Sequence, residues 1–525
     1  MGAVDWAIIF VYIAVLIGLS WRWGRGQANP TDYYVGGRQL PWLAVAISTM
    51  ATQTSAISFI SIPAYVALKP GGGLTWLQYE FGVPLAMVLV IAVLIPFFRR
   101  LKLVTVYEYL ELRFGPPVRT LLSAVFLLSR GLSTGVAVYA AALVLSVCLD
   151  KPIGFTILLM GVATVVYDTL GGMKAVVYSD VIQMLVLVTG LMLCIVFAVQ
   201  DLGGVSAVLT TFPDERLRTI EWASGIGDSA TTPFWAFLLG GIFLYASYYG
   251  VDQSQAQREL SAPSVEECKR SLLFNGMARF PLTLLYLGLG IAVGAVYLHF
   301  PEFRAEVPAD HPDYLIPEFI LYRLPVGVKG ILIAALLAAA MSSLDSALNS
   351  LSAVTLRDFI EKKWRLSEKQ LLRLGKLTTV AWGGVITFFA FYVGQISETV
   401  IEAINKIGSA FYGPILAAFL AGILIKRISL RGVIIGILAG VGLNLTLWLT
   451  NAPIHWMWWN LFGCVMSLAA AYLASLFWPQ IAAVNREYLL TGRRLKVAWS
   501  DSAKLYWMLL VYFGVMVLVG IAIGG

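Results

Sequence analysis

Long apolar runs dominate this sequence and restrict the folds that it can adopt. About fourteen stretches of roughly 18 or more mostly apolar residues are each long enough, as a helix, to cross a hydrocarbon core of about 30 Å. They are continuously apolar and do not alternate over about ten residues, so they indicate helices and not a β-barrel. The sequence therefore predicts an all-α integral membrane protein with spans at 4–23, 41–68, 74–98, 118–149, 153–171, 176–200, 233–250, 271–299, 328–356, 374–394, 397–425, 430–450, 455–478 and 504–523.

Composition supports a single transmembrane domain over 1–525. Hydrophobic residues make up 59% of the chain and charged residues 13%, against roughly one half and one quarter in soluble domains. The longest loops, 201–232, 299–327 and 479–503, are too short for an independent core. No HExxH motif or histidine cluster occurs, which argues against an enzyme.

The basic residues predict the orientation. Counted from the N-terminus, the odd loops hold about 27 of the 37 lysines and arginines, Arg258 among them, and the even loops about seven. The positive-inside rule then places the odd loops in the cytoplasm and both termini outside, in a plasma or inner membrane. Because this topology explains the net charge of +7, neither a nucleic-acid partner nor a basic binding face is predicted.

Polar residues crowd into two of the spans. The ninth carries AAAMSSLDSALNS at 338–350, and helical spacing puts Ala339, Ser342, Ser346 and Asn349 on one stripe, flanked by Ser343 and Asp345. These side chains offer oxygen ligands only, as a hard cation requires. Free carbonyls from an unwound second span near 51–54 would complete such a site for a monovalent or divalent cation.

Four segments resemble the sodium/solute symporter family: ATQTSAISF (51–59), GGMKAVVYSDVIQ (171–183), DQSQAQREL (252–260) and AAAMSSLDSALNSLSAVTLRDF (338–359). The resemblance covers roughly residues 1 to 480, in order and with similar spacing. It implies a LeuT-like fold of two inverted five-helix repeats, at 41–200 and 233–425. The helix at 4–23 precedes them, and further helices at 430–523 follow.

The resemblance also implies two sodium sites. The first uses backbone carbonyls of Ala51, Thr54 and Ala339 with the hydroxyls of Ser342 and Ser343. The second, present in some members, is formed by Asp180, Ser342, residue 345 and Ser346. An aspartate stands at 345 where a hydroxyl is usual, so we expect two coupling cations, at least one of them sodium, with Asp180 and Asp345 lining the second position.

The solute pocket is expected between the second and seventh spans, lined by Gln53, Ser55, Ser58, Gln78, Arg130 and Phe243. Arg130 is expected either to bind a solute carboxylate through its guanidinium, as in a sialic acid or monocarboxylate, or to serve as a gate. A sugar is the other candidate class of solute.

The resemblance thus implies a sodium-coupled importer working by alternating access, with no organic cofactor. The alternatives are a proton-coupled symporter of the same fold and a membrane-embedded sensor or enzyme. Membrane lipid, sodium and the solute are the expected partners, and a monomer can suffice.

Overall fold

The chain folds into a bundle of helices, with no strand in the part that the structure describes. A computed structural model describes residues 1–222, 225–227, 232–309, 311–393, 400–480 and 484–524, with backbone alone at 400–405, 493 and 498. The predicted boundary at 394–397 lies outside these residues. The helices are α1 Ala3–Trp23, α2 Pro30–Val35, α3 Trp42–Gln53, α4 Ala56–Ala67, α5 Gly82–Leu89, α6 Ile95–Arg100, α7 Tyr107–Phe114, α8 Pro116–Leu149, α9 Ile153–Asp201, α10 Val205–Thr211, α11 Gly241–Gly250, α12 Gln253–Glu259, α13 Val265–His299, α14 Pro301–Glu306, α15 Leu315–Arg323, α16 Val328–Val354, α17 Glu368–Val393, α18 Val400–Leu424, α19 Leu430–Leu449, α20 Trp458–Phe477, α21 Arg493–Ser500 and α22 Ala503–Gly524.

The membrane-spanning pattern agrees with the sequence. Among the described residues, 11 helices are long and apolar enough to cross a membrane, or 12 when α3 and α4 form one bent span. Gly172 divides α9 into two spans, and a short apolar helix covers Ala236–Gly250. Together these segments match the fourteen predicted spans, so the chain is a multi-pass membrane protein.

Gly172 divides α9 because its backbone adopts φ 56°, outside the helical region. An L side chain is disfavoured at this φ, and a Cβ atom there would lie 2.6 Å from the carbonyl oxygen of Tyr33. Only glycine meets both demands. The kink sends the second half of α9, which carries Asp180, back across the bundle beside α3 and α16.

One helix forms the centre of the bundle. The span Val328–Ile360, which contains α16, has 89% of its apolar window buried, against 22% for α1 and 17% for α22. Because lipid-facing helices leave one side uncovered, α1 and α22 lie at the periphery and α16 at the core. The polar stripe predicted on α16 is therefore enclosed by protein on every side.

The second and seventh spans are both interrupted, the second at the predicted position. The second span bends by 57° between α3 and α4, and Thr54 and Ser55 lie in the break. The seventh span has a π-helical turn at Ala236–Gly240, continues as α11, and stops at Val251 before α12 begins. Interrupted spans with free helix ends near the bundle centre are typical of ion and solute sites in transporters.

Candidate ion and solute sites

The first cluster of oxygens lies where α16 passes the break in the second span. Ser342 Oγ is 3.3 Å from the Ala51 carbonyl oxygen and 3.1 Å from that of Ala339. Ser343 Oγ is 3.4 Å from the carbonyl oxygens of Thr52 and Ala339. Thr54, the first residue past α3, has non-helical φ −92° and ψ 80°. The structure thus brings together the residues named for the first sodium site.

The spacing of these oxygens suits a small hard cation. Ligands at right angles around an ion, each at about 2.4 Å, are separated by about 3.4 Å. The observed separations of 3.1–3.4 Å are close to this value. Because α3 ends at Gln53, its last carbonyls lack the helical N–H partners four residues further on; the Ala51 carbonyl oxygen accepts from the Thr54 N–H at 2.9 Å and keeps a second lone pair for an ion. The donor set is therefore chemically fit for sodium.

A second cluster contains the four residues named for the second sodium site, together with an arginine. Ser346 Oγ contacts the Asp345 carboxylate at 3.2 Å and the Ser342 carbonyl. Asp180 accepts a hydrogen bond from Ser48 Oγ and forms an ion pair with Arg258 at 3.3 Å. All of these side chains are almost completely buried. The arginine lies inside the predicted cation position.

Arg258 was counted among the loop cations, but the stretch that carries it, 252–260, is buried. The stretch forms α12, every residue of which is buried, and Arg258 is 1% exposed. The positive-inside count treated this arginine as a loop cation. The stretch is polar in sequence because its side chains bond one another inside the bundle, so polarity there does not report exposure. The position of Asp252 at the N-cap of α12, bonded to the Ser254 N–H, was the local signal for a helix start.

Two further buried groups near this cluster were not singled out from the sequence. The Tyr167 hydroxyl donates to the Asp345 carboxylate. Asp168 is fully buried, and neither carboxylate oxygen has a hydrogen-bond partner among the described residues. The signal that could have found Asp168 is its place in an apolar run, where an ionisable side chain is costly.

A cavity of about 230 Å³ opens beside the break in the second span. Of the predicted solute residues, Gln53, Ser55, Ser58 and Arg130 line it. Thr54 and Ser343 also line it, and both belong to the first oxygen cluster. The cavity and the candidate sodium site therefore share the same broken backbone.

Gln78 and Phe243 lie outside the lining of this cavity. The Gln78 amide donates to the carbonyl oxygens of Thr75 (3.1 Å) and Thr232 (2.8 Å), and its side-chain oxygen accepts from the Glu221 N–H at 3.1 Å. These hydrogen bonds fix the Gln78 side chain against the backbone of Thr75, Glu221 and Thr232, so it has a structural role. Phe243 is half-buried and packs against the hydrophobic core. The face of α11 toward the cavity instead carries Tyr245 and Tyr248.

Two arginines line the cavity, and they differ in how they are satisfied. Arg279 makes a bidentate pair with Glu80, at 3.1 Å and 2.7 Å. Arg130 Nη1 forms an ion pair with Asp252 Oδ2 at 3.7 Å, too long for a hydrogen bond, and the Arg130 Nε atom has no partner among the described residues. Arg130 thus keeps donors for a ligand, whereas Arg279 is committed to the fold.

Aromatic rings cover the rest of the cavity. Trp76 and Tyr79 stack at 5.3 Å with an interplanar angle of 8°, and the Tyr245 ring meets Tyr79 edge-on at 5.6 Å. Phe411 and Tyr412 line the same cavity from α18. Such a wall buries the apolar faces of a small organic molecule, while a few polar groups fix its orientation.

Comparisons with known proteins agree on one family. The family model described as "Sodium:solute symporter family" matches residues 33–440. The sodium/sialic acid symporter NanT of Aliivibrio fischeri is 28% identical over 479 residues, 90% of this chain and 93% of that protein. Human sodium-coupled monocarboxylate transporter 1 is 30% identical over 440 residues, 82% of this chain and 71% of the relative. The human sodium/iodide cotransporter is 30% identical over 456 residues, which are 85% of this chain and 69% of that protein.

Solved structures show the same similarity. A Na⁺-coupled sialic acid symporter in a substrate-bound outward-open state superimposes with a TM-score of 0.80 and 26% identity, over 91% of this chain and 98% of that one. Mhp1, a nucleobase-cation-symport-1 family transporter, superimposes with a TM-score of 0.53 and 12% identity, over 91% of this chain and 99% of Mhp1. The second similarity concerns the fold alone, and it confirms the predicted LeuT-like class.

Proposed function

Because the chain belongs to the sodium:solute symporter family, a family of transporters and not of enzymes, we propose that it imports a small carboxylate-bearing organic solute driven by sodium. Sodium binds at the first oxygen cluster, formed by Ala51, Thr54, Ala339, Ser342 and Ser343. The solute binds in the adjoining cavity. Sialic acids and monocarboxylates, which the names of the relatives specify, are the candidate solutes.

One observation carries the proposal: a single break in the second span serves both sites. Ala51 and Thr54 would contribute carbonyls to the ion, while Gln53, Ser55 and Ser58 face the solute cavity. An ion that orders the backbone at this break therefore also orders the solute-binding side chains. Each ligand lowers the conformational cost of binding the other, which is the thermodynamic requirement for coupling.

The carboxylate preference rests on Arg130. A guanidinium with unused donors over an aromatic wall, 5.8 Å from the Tyr248 ring centroid, is suited to bidentate carboxylate recognition. Arg279 does not compete for the solute, because Glu80 satisfies it. A neutral sugar would leave the Arg130 donors unpaired, so a carboxylated solute fits the cavity better.

The arrangement in the membrane follows from the same features. We place the odd-numbered loops in the cytoplasm and both termini outside, in the plasma or inner membrane. The repeats at 41–200 and 233–425 move relative to each other in alternating access, around the site formed by the two broken spans. We expect that a monomer can suffice for transport.

A thermal-shift screen of the purified protein tests the proposal. Sialic acids, monocarboxylates, sugars, vitamins and amino acids are added in sodium chloride or in choline chloride. We expect stabilisation by a carboxylated solute only with sodium present, and loss of that response in Arg130→Met. Arg323→Met, which removes an arginine paired with Asp201 outside the cavity, is the matched control and keeps the response.

Three outcomes would contradict the proposal. Stabilisation that is equal in sodium and choline would remove sodium coupling, and a response that follows a proton gradient in proteoliposomes would favour the proton-coupled alternative. A neutral sugar as the sole ligand would remove the carboxylate assignment.

A further inference from the structure

The second cation position contains a cation that belongs to the chain. We infer that the Arg258 guanidinium permanently occupies the position between Asp180 and Ser346, so that this transporter binds one sodium ion and not two. The inference rests on the proposed function and specifies its ion stoichiometry. It replaces the sequence-based expectation of two transported cations.

The guanidinium takes the place that a sodium ion would need. Arg258 Nη2 contacts both Asp180 Oδ2 and Ser346 Oγ, two of the four groups named for the second site. An ion bound to the same two oxygens at about 2.4 Å would overlap this nitrogen. The remaining guanidinium nitrogens are also engaged, Nε with Ser48 Oγ at 2.8 Å and Nη1 with the Ser254 carbonyl.

The helix that carries Arg258 is fixed on both sides of the arginine. Gln257 Nε2 donates to Asn349 Oδ1 at 2.7 Å and to the Tyr34 carbonyl at 2.6 Å. Glu259 Oε1 accepts from Thr49 Oγ1 at 2.9 Å and from Ser271 Oγ at 2.8 Å. Withdrawing Arg258 would require these buried bonds to break. The arginine is therefore a structural cation and not a gate residue.

Electrostatics favours the same arrangement. Asp180 and Asp345 are both 0% exposed, and Arg258 forms an ion pair with Asp180. Leaving a buried carboxylate without a cation is strongly unfavourable. The tethered guanidinium meets this demand for Asp180 throughout the cycle without being captured and desolvated in each turnover, as a free ion must be, whereas the Asp345 carboxylate accepts from the hydroxyls of Tyr167 and Ser346.

The stoichiometry determines how far the solute can be concentrated. Because a singly charged carboxylate carries one negative charge inward, transport with one sodium ion moves no net charge, and a potential of about 100 mV adds nothing to accumulation. A second sodium ion would leave one net positive charge per cycle and add about 50-fold. The single-ion transporter therefore reaches lower accumulation, driven by the sodium concentration gradient alone.

Equilibrium binding of radioactive ²²Na⁺ to the purified full-length protein tests the inference with sodium alone. We expect one ion per chain and a Hill coefficient near 1. Ser346→Ala and Asp180→Asn, which alter only the second position, keep the single ion with affinity within about threefold of the unmodified protein. Ser343→Ala, which alters only the first, weakens it by about tenfold or more. Arg258→Met opens the second position and raises the count to two.

The number of sodium ions bound and the effects of the variants together test the inference. Two ions per unmodified chain would overturn the inference, and so would a single ion that is lost in Ser346→Ala but kept in Ser343→Ala. The binding count of the unmodified chain decides the matter even if Arg258→Met fails to fold. Failure of the proposed function looks different, because then no saturable sodium binding is detected.

Discussion

The Glu80–Arg279 pair provides a quantitative test of the distinction between a structural and a ligand-binding arginine. Glu80 is 2% exposed and accepts from Arg279 Nε at 3.1 Å, from Arg279 Nη2 at 2.7 Å and from Thr283 Oγ1 at 3.0 Å. Both charges are satisfied inside the protein. Replacing either residue alone leaves the other as an unpaired buried charge.

The expected magnitudes follow from this geometry. Removing one partner of a buried pair costs about 3–5 kcal/mol, whereas replacing both with apolar residues of similar size is often close to neutral. We predict that Glu80→Leu and Arg279→Met each lower the free energy of unfolding by about 3–5 kcal/mol. The double variant should lose less than about 2 kcal/mol, because no charge is then left unpaired.

Unfolding in mixed micelles, with increasing sodium dodecyl sulfate and tryptophan fluorescence as the signal, measures all four proteins. The coupling energy is the difference between the double variant and the sum of the singles. Single variants that cost under about 1 kcal/mol, or a double variant equal to the sum, would refute the structural role. An Arg279→Met protein of normal stability that no longer binds solute would make Arg279 a ligand instead.

Three further predictions concern other parts of the molecule. Gly172→Ala should destabilise the protein by at least about 1–2 kcal/mol because of its positive φ, whereas Gly18→Ala, with open space around it, should be nearly neutral in the same assay. Tyr167→Phe removes a donor from the buried Asp345 carboxylate and should cost about 1.5–3 kcal/mol in the same measurement. Burial raises the pKa of Glu111, but hydrogen bonds from Lys362 and Arg119 lower it overall, so stability should decline as the pH falls below about 4.3, and Glu111→Gln should flatten this acid limb of the unfolding profile.

Much of the fold follows from hydropathy, because each span must satisfy its own backbone in lipid. The break at Thr54 and Ser55 was predictable for a related reason: so many hydroxyls in mid-membrane need partners other than lipid. Helical spacing placed Ser342 on the polar stripe with Ser343 beside it, and the resemblance to the symporter family assigned both to the first oxygen cluster. Local periodicity therefore identified the shared helix face, whereas the set of ligands came from the resemblance.

The sequence was less informative where contacts join distant segments. Arg258 was assigned to a loop because polarity in a membrane protein normally indicates water, whereas α12 satisfies its polar groups with α3 and α16. Gln78 was placed in the solute pocket because nothing local shows that its amide bonds Thr232, some 150 residues away. The pairing of Arg279 with Glu80 was hidden for the same reason, since both partners lie on spans far apart in sequence.

Solute uptake into proteoliposomes tests the central claim most directly. Radiolabelled sialic acid, lactate and glucose are offered with an inward gradient of either sodium or choline, to the unmodified protein and to Ser342→Ala combined with Ser343→Ala. We predict sodium-dependent accumulation that falls to background in choline, and a requirement for at least about tenfold more sodium in the double variant. Accumulation that is equal in sodium and choline, and unchanged in the double variant, would contradict the account.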